Sequence, residues 1–281
     1  MSLDGKVVLV TGANAGIGLE ACVKLAHMGA ELVMVARDPE RGQKALEEVK
    51  RRSGMTQVEL MLCDFGVQAQ IRELAKQFRA KHDRLDILIN NAGSVSDQRR
   101  VTPDGLEQTF AVNHLGYFLL TNLLLDLLEK SAPARIVNVS SVGHRRGTID
   151  FDNLQYEKGG YSIMSAYGRS KLANVLFTRE LARRLEGKRV TVNCLHPGAV
   201  ATEIWSKAPW YFKPVLAVLK LFMLSSEQGG DHIVFLAVDR TIEGQTGGYY
   251  EKDRVLYPSR EAQDEAVAKR LWDVSAQLVS L

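Results

Sequence analysis

Lys6-Val7-Val8-Leu9-Val10-Thr11 runs without a break into Gly12-Ala13-Asn14-Ala15-Gly16-Ile17-Gly18, and a helical pattern follows as far as His27. The first six residues are apolar and mostly β-branched, which is the composition of a strand buried on both faces. Gly29 stops the helical pattern. A glycine turn between strand and helix lets the backbone approach a ligand, and the helix start offers unpaired N–H groups and the positive end of its dipole. Gly12, Asn14, Gly16, Ile17 and Gly18 are therefore candidate contacts to phosphates; the bland alternative is a tight turn with no ligand. The loop lacks a Gly-Lys-Ser/Thr ending, which argues against nucleotide hydrolysis.

Outward from this unit the alternation continues. Strands are predicted over 31–36, 57–62, 85–89, 135–139, 190–195 and 248–250, and helices over 39–53, 67–82, 104–130, 162–185, 228–238 and 262–278. Unbroken strand–helix alternation from residue 6 to about 195 predicts a doubly wound parallel α/β sheet of the Rossmann type. We find no linker and no repeat in the chain, so residues 1–281 are expected to form one domain. Ligands of such a sheet bind at the carboxyl ends of its strands. Arg37 follows the second strand, where an acid would hold a ribose 2′-hydroxyl and an arginine a 2′-phosphate. Asp38 precedes Pro39 and reads as a helix N-cap. This favours NADP(H), with NAD(H) as the alternative. Asp64 could accept from an adenine amino group. Asn90-Asn91-Ala92-Gly93 suits either a wall against a flat cofactor or strand-end hydrogen bonding.

Composition narrows the class. The chain has 281 residues, a 46% apolar fraction and a formal charge of +3 with both signs interspersed, so a sizeable core is expected and no nucleic-acid partner. Cys22, Cys63 and Cys194 lie in apolar segments without metal spacing and read as reduced, buried thiols of a cytoplasmic protein. No secretory leader is apparent, because Asp4 interrupts the start, and the apolar run at 215–224 is too short to span a bilayer. The leucines of 104–130 cover more than one narrow stripe, so this helix is expected to be widely buried or to face a second copy of the chain.

Tyr167 and Lys171 lie four apart within the 162–185 helix and share one face. An ammonium beside a phenol favours the phenolate, so the tyrosine is expected below its ordinary value and suited to general acid–base work. By itself the pair is a common pattern on solvated helices.

Taken together, Thr11-Gly12-x-x-x-Gly16-x-Gly18, Asn90-Asn91-Ala92-Gly93, helical Asn113, Ser141 after a strand, Tyr167-x-x-x-Lys171 and Pro197-Gly198 resemble the short-chain dehydrogenase/reductase family. Residues 135–144, Ser170-Lys171-Leu172-Ala173-Asn174 and the ending 270–275 resemble its retinol dehydrogenase branch. The resemblance implies hydride transfer between a nicotinamide cofactor and a lipophilic alcohol or its aldehyde or ketone. Tyr167 would be the acid/base, Lys171 would lower its pKa and bind the nicotinamide ribose, Ser141 would hydrogen-bond the substrate oxygen, and Asn113 would hold Lys171 through a water. Asn91, Pro197, Gly198, Val200 and Thr202 would line the cofactor. Ala15 stands where many NADP-preferring relatives carry a basic residue, which leaves Arg37 as the 2′-phosphate candidate.

The segment 203–226 is rich in large apolar side chains, including Trp205, Trp210 and Phe212. It is expected to be a substrate lid, a peripheral membrane contact or a plain cover on the core. Among other functions, a serine hydrolase lacks its Gly-x-Ser-x-Gly here, since Val139 precedes Ser140-Ser141. A non-catalytic NADP(H) sensor would need no proton donor. A dehydrogenase of another substrate class, such as steroids, stays open.

Overall fold

The strands are β1 (Val7–Thr11), β2 (Glu31–Ala36), β3 (Val58–Leu62), β4 (Ile87–Asn90), β5 (Ala134–Val139), β6 (Val190–His196), β7 (Tyr249–Glu251) and β8 (Arg254–Leu256). They form one eight-stranded sheet in the order β3-β2-β1-β4-β5-β6-β7-β8 in a computed structural model that describes residues 2–198 and 225–281. Every neighbouring pair is parallel except β7–β8. Helices α1 (Gly16–His27), α2 (Pro39–Ser53), α3 (Gln68–Lys81), α4 (Gln108–Lys130), α5 (Ile163–Arg184), α6 (Ser226–Val238) and α7 (Glu265–Leu278) cover both faces. This is the single α/β domain that the alternation predicts.

Strand pleating divides the core in two. Val7 and Leu9 of β1 face a cluster with Leu88, Phe118 and Leu172, while Val8 and Val10 face a cluster with Ala21, Leu25 and Ile233. The chain winds from β1 to β2 and β3 on one side, then returns to β4 and β5 on the other. The reversal leaves a crevice at the carboxyl ends of β1 and β4, where ligands of such sheets bind.

Most predicted ends hold to within a residue or two. Two departures have physical causes. Helix α4 starts at Gln108, not at 104, because Thr102-Pro103-Asp104-Gly105 makes a turn with Gly105 at φ +78°. Glu107 then caps the helix, accepting from the amides of Thr109 (2.7 Å) and Phe110 (2.8 Å). The last strand is half of a hairpin: Lys252 and Asp253 both take positive φ and return the chain as β8. That turn lacks the Asn-Gly or Asp-Gly pair that would reveal it in sequence.

Helix α4 is long and apolar enough to cross a membrane, but it lies in the core, with 78% of its most apolar window buried. Its broad apolar surface is met within the chain by α3 and α5, and α7 reaches it through Trp272 and Ser275. Phe118 packs edge-on against Trp272 of α7 at 4.8 Å between ring centres. Cys22, Cys63 and Cys194 are buried and unpaired.

Gly18 shows how tightly the first turn is built. A Cβ there would sit 2.4 Å from both Asn91 Nδ2 and the Gly12 carbonyl. Gly18→Ala should cost roughly 1–3 kcal/mol in urea unfolding. Combined with Asn91→Ala, which removes one of the two obstructions, the loss should be smaller than the sum of the singles. Strict additivity would refute the steric account.

Candidate active site

The glycine turn is held by its neighbour. Asn91 Nδ2 donates to the carbonyls of Thr11 and Gly12, each at 3.0 Å, and Thr11 Oγ1 accepts from the amides of Asn91 (2.8 Å) and Ala92 (3.0 Å). Of the two readings of Asn91, strand-end hydrogen bonding is therefore realised. Gly12 (φ +65°) and Gly16 (φ +56°) take conformations that favour glycine. Ala15 is the N-cap of α1 and offers no side-chain hydrogen bond, so the first amides of the helix are left to a ligand. The uncapped helix start and the glycines at positive φ fit a dinucleotide pyrophosphate. Asn14 lies half-buried on this turn, whereas Ile17 packs its side chain into the core and can offer only backbone.

Arg37 is exposed just beyond β2. Asp38 is committed to capping α2, accepting from the Arg41 amide at 2.9 Å. Asp64 is half-buried after β3; its Oδ1 accepts from the Gly66 amide at 2.9 Å. Pro197 and Gly198 follow β6, with Gly198 at φ +90°. Val200, Thr202 and nearly all of the 203–226 segment lie outside the described residues.

The second half of the crevice lies at the end of β5. Ser141 has an extended backbone, and its Oγ accepts from the Gly143 amide at 3.1 Å. Its side chain also interacts with the Tyr167 phenol. A Cβ on Gly143 would stand 3.3 Å from Tyr167 Cε1, so the loop rests on the phenol ring. One turn along α5, Lys171 Nζ donates to the Val139 carbonyl at 3.0 Å and lies 5.6 Å from the Tyr167 ring centre. Asn113 sits in a π turn, Ala111–Leu115, inside α4, a local irregularity often found at functional sites. Its Nδ2 donates to the Ser94 carbonyl and Ser170 Oγ, both at 3.0 Å, and its Oδ1 accepts from the Ser94 amide at 2.8 Å.

One expectation needs correction here, and it concerns Tyr167. The Asn113 side chain is bonded to Ser94 and Ser170. Its backbone carbonyl accepts from Asn174 Nδ2 at 2.9 Å, and Asn174 also reaches the Val139 carbonyl at 3.4 Å. The Tyr167 phenol does not lie below its ordinary value: burial pushes it up, opposed by the Ser141 side chain. Burial also pushes the Lys171 amine down to about 7. Both groups are withdrawn from water, and at this separation desolvation outweighs their mutual attraction.

Tyr117 was not singled out by sequence. Its ring centre lies 5.9 Å from Lys171 Nζ, and its buried hydroxyl has no hydrogen-bond partner among the described residues. Burial and the neighbouring Tyr167 hold its pKa well above the usual range. His144, His114 and Asn174 were likewise given no role, since a buried histidine between hydrogen-bonding loops has no local sequence pattern. A cavity of about 1070 Å³ lies elsewhere, at the amino ends of the strands, lined by Arg135, Arg179 and Glu243 among others and by none of these groups.

The model of the short chain dehydrogenase family matches residues 6–210. The chain belongs to the short chain dehydrogenase family. It is 43% identical to human (Homo sapiens) retinol dehydrogenase 11 over 281 residues, which covers 100% of this chain and 88% of that protein. It is 41% identical to human retinol dehydrogenase 13 over 285 residues, covering 100% and 86%. A crystal structure of an uncharacterized protein from Mycobacterium Paratuberculosis superposes with a TM-score of 0.80 at 30% identity, covering 99% of this chain and 95% of that one. This short chain dehydrogenase is thus of the retinol dehydrogenase-like branch, an NAD(P)-dependent oxidoreductase acting on CH–OH groups.

The buried lysine has a measurable consequence. With a folded pKa of about 7 against an unfolded value near 10.4, the unfolded chain holds a proton that the folded chain lacks between those limits. Stability should therefore rise with pH across this window, by at most roughly 1.4 kcal/mol per unit. In urea titrations at several pH values, Lys171→Met should flatten that rise. An identical slope in the variant would show that the amine is not desolvated.

Proposed function

We propose that this short chain dehydrogenase interconverts a lipophilic alcohol, retinoid-like, with its aldehyde or ketone, using NADP(H) and Tyr167 as acid/base. The observation that carries the reading is the contact of Ser141 with Tyr167, with Lys171 one helical turn away, at the end of β5. The similarity to proteins named retinol dehydrogenases supports the substrate class.

In this reading the uncapped start of α1 with Gly12, Gly16 and Gly18 holds the pyrophosphate, Asp64 the adenine side and Pro197-Gly198 the nicotinamide side. The bound cofactor supplies or removes a hydride. Ser141 donates to the substrate oxygen and fixes it beside the Tyr167 hydroxyl. Burial keeps Tyr167 protonated at neutral pH, so in the reducing direction its hydroxyl gives a proton to the oxygen as negative charge develops there. In the oxidising direction the phenolate takes that proton back. Lys171 holds positive charge near the phenol in the state that carries its proton, and its amine near pKa 7 can exchange that proton at neutral pH. Such a role needs the lysine fixed, which the Val139 carbonyl does. In this reading Arg37 pairs with a 2′-phosphate, because a guanidinium fork matches phosphate oxygens.

Two measurements test this. With retinaldehyde and a panel of medium-chain aldehydes, Tyr167→Phe should lower turnover roughly 10²–10⁴-fold while NADPH still binds; near-wild-type turnover would exclude Tyr167 as the acid/base and leave a cofactor-binding module as the better reading. Arg37→Ala should weaken NADPH binding by roughly 1.5–3 kcal/mol and leave NADH nearly unchanged. Equal losses for both cofactors would reject the 2′-phosphate assignment.

A further inference from the structure

Two fully buried histidines, His114 and His144, each bridge the C-terminal part of the chain to the groups described above. Their ring protons can be assigned from their partners. The Ser259 amide donates to His144 Nε2 at 3.1 Å, so the proton is on Nδ1, which donates to the Ser141 carbonyl at 2.7 Å. At the other site Asn174 Nδ2 faces two carbonyls, of Asn113 and Val139, so its Oδ1 must face His114. An amide oxygen only accepts, so His114 carries its proton on Nδ1, 3.4 Å away. Its Nε2 then accepts from Ser275 Oγ of α7 at 2.9 Å.

We propose that the C-terminal segment 259–275 positions the catalytic groups through these two neutral imidazoles. Ser259 and His144 fix Ser141, while Ser275, His114 and Asn174 fix the π turn and the carbonyl that holds Lys171. The inference rests on the roles proposed above for Ser141, Tyr167 and Lys171.

The chemistry is specific to imidazole. The Ser141 carbonyl takes both the His144 ring N–H and the His144 backbone amide, the latter at 3.1 Å. With its Oγ also accepting from Gly143, Ser141 is held on two sides, so its hydroxyl meets Tyr167 in one place. The Val139 carbonyl receives both Lys171 Nζ and Asn174 Nδ2. If Asn174 lost its anchor on His114, this shared acceptor would be redistributed and the lysine amine would move.

The surroundings keep both rings neutral. His144 faces the ring of Tyr249 at 4.6 Å, with Arg145 on its own turn, Glu251 on β7 and His196 on β6 as the charged or titratable neighbours. Burial, assisted by Arg145, lowers its pKa against the opposing pull of the Ser141 carbonyl and Glu251. His114 is enclosed by Phe110, Phe118 and Phe177, and burial lowers it to about 4. Protonated His144 would turn an N–H against the Ser259 N–H, which cannot reverse. Protonated His114 would require only that the Ser275 hydroxyl turn to accept.

The test compares Ser275→Ala, Ser275→Thr and His144→Asn with wild type in the full chain, assayed with NADPH and retinaldehyde well below each melting temperature. Asparagine keeps a donor near the Nδ1 position and removes the acceptor for Ser259. Both Ser275→Ala and His144→Asn should lower kcat roughly tenfold, within the range for small misplacements of catalytic groups, with the KM for NADPH unchanged. The ionisation seen in the kcat–pH profile should shift in Ser275→Ala, because Lys171 moves, and Ser275→Thr should restore both. A lower melting temperature with wild-type kcat and pH profile would overturn the inference and reduce both bridges to scaffolding. Should His144→Asn fail to fold, Ser275→Ala, which removes one hydroxyl, decides alone. Tyr167→Phe runs alongside. If it is inactive while Ser275→Ala and His144→Asn match wild type, only the positioning falls; if it is active, the acid–base reading and this inference fall together.

Discussion

The amine of Lys171 lies in the protein interior, and much of the structure exists to hold it there. A buried ammonium loses hydration worth several kcal/mol, and the group responds by giving up its proton near neutral pH. A hydrogen bond to the Val139 carbonyl fixes its position. That carbonyl is available because β5 ends there and the chain turns away into the Ser141 loop. Helix α5 lies against this loop closely enough that a Cβ on Gly147 would stand 2.2 Å from the Gly168 carbonyl and one on Gly168 would stand 3.1 Å from that of Gly143. Only glycine at these places lets helix and loop approach so far, and only that approach brings Ser141 to Tyr167.

The crevice has two halves with different logic. On the β1 side, backbone does the work: an uncapped helix start, glycines with positive φ, and a loop tied down by Asn91 and Thr11. Such a surface suits phosphates because its donors are fixed amides. On the β5 side, side chains do the work, and they are sheltered by α4, α5 and the C-terminal segment. Withdrawal from water raises the phenol and lowers the amine, opposite to what their pairing in isolation would give. A phenol that stays protonated at neutral pH follows from this burial.

Much was legible in the chain itself. The run from Lys6 to Gly18 states its strand, turn and helix through local chemistry: β-branched residues, then glycines, then helical periodicity. The same holds for Asp38 before Pro39 and for Tyr167 and Lys171 on one face of a helix. In each case the pattern spans a few consecutive residues, and the physics that imposes it is equally local. The turn at Pro103-Asp104-Gly105 was also written there, and was outweighed by the apolar periodicity that follows it.

Other features depend on contacts between residues far apart in the chain. The β7–β8 hairpin uses Lys252 and Asp253 at positive φ without a turn signature. Asn113 could be recognised as a poor helix former, but that its helix widens into a π turn, and that its side chain serves Ser94 and Ser170, required α5 to be in place. His114 meets Ser275 across 161 positions and His144 meets Ser259 across 115. The sequence by itself determined the order of elements, the glycine turn between β1 and α1 and the sharing of one helix face by Tyr167 and Lys171, because hydrogen-bonding propensity and periodicity act over one or two turns of chain. Tertiary structure alone decided the pKa directions, the partners of Asn113 and the two histidine bridges, because desolvation and long-range hydrogen bonds depend on what is packed around a group, not on its neighbours in sequence.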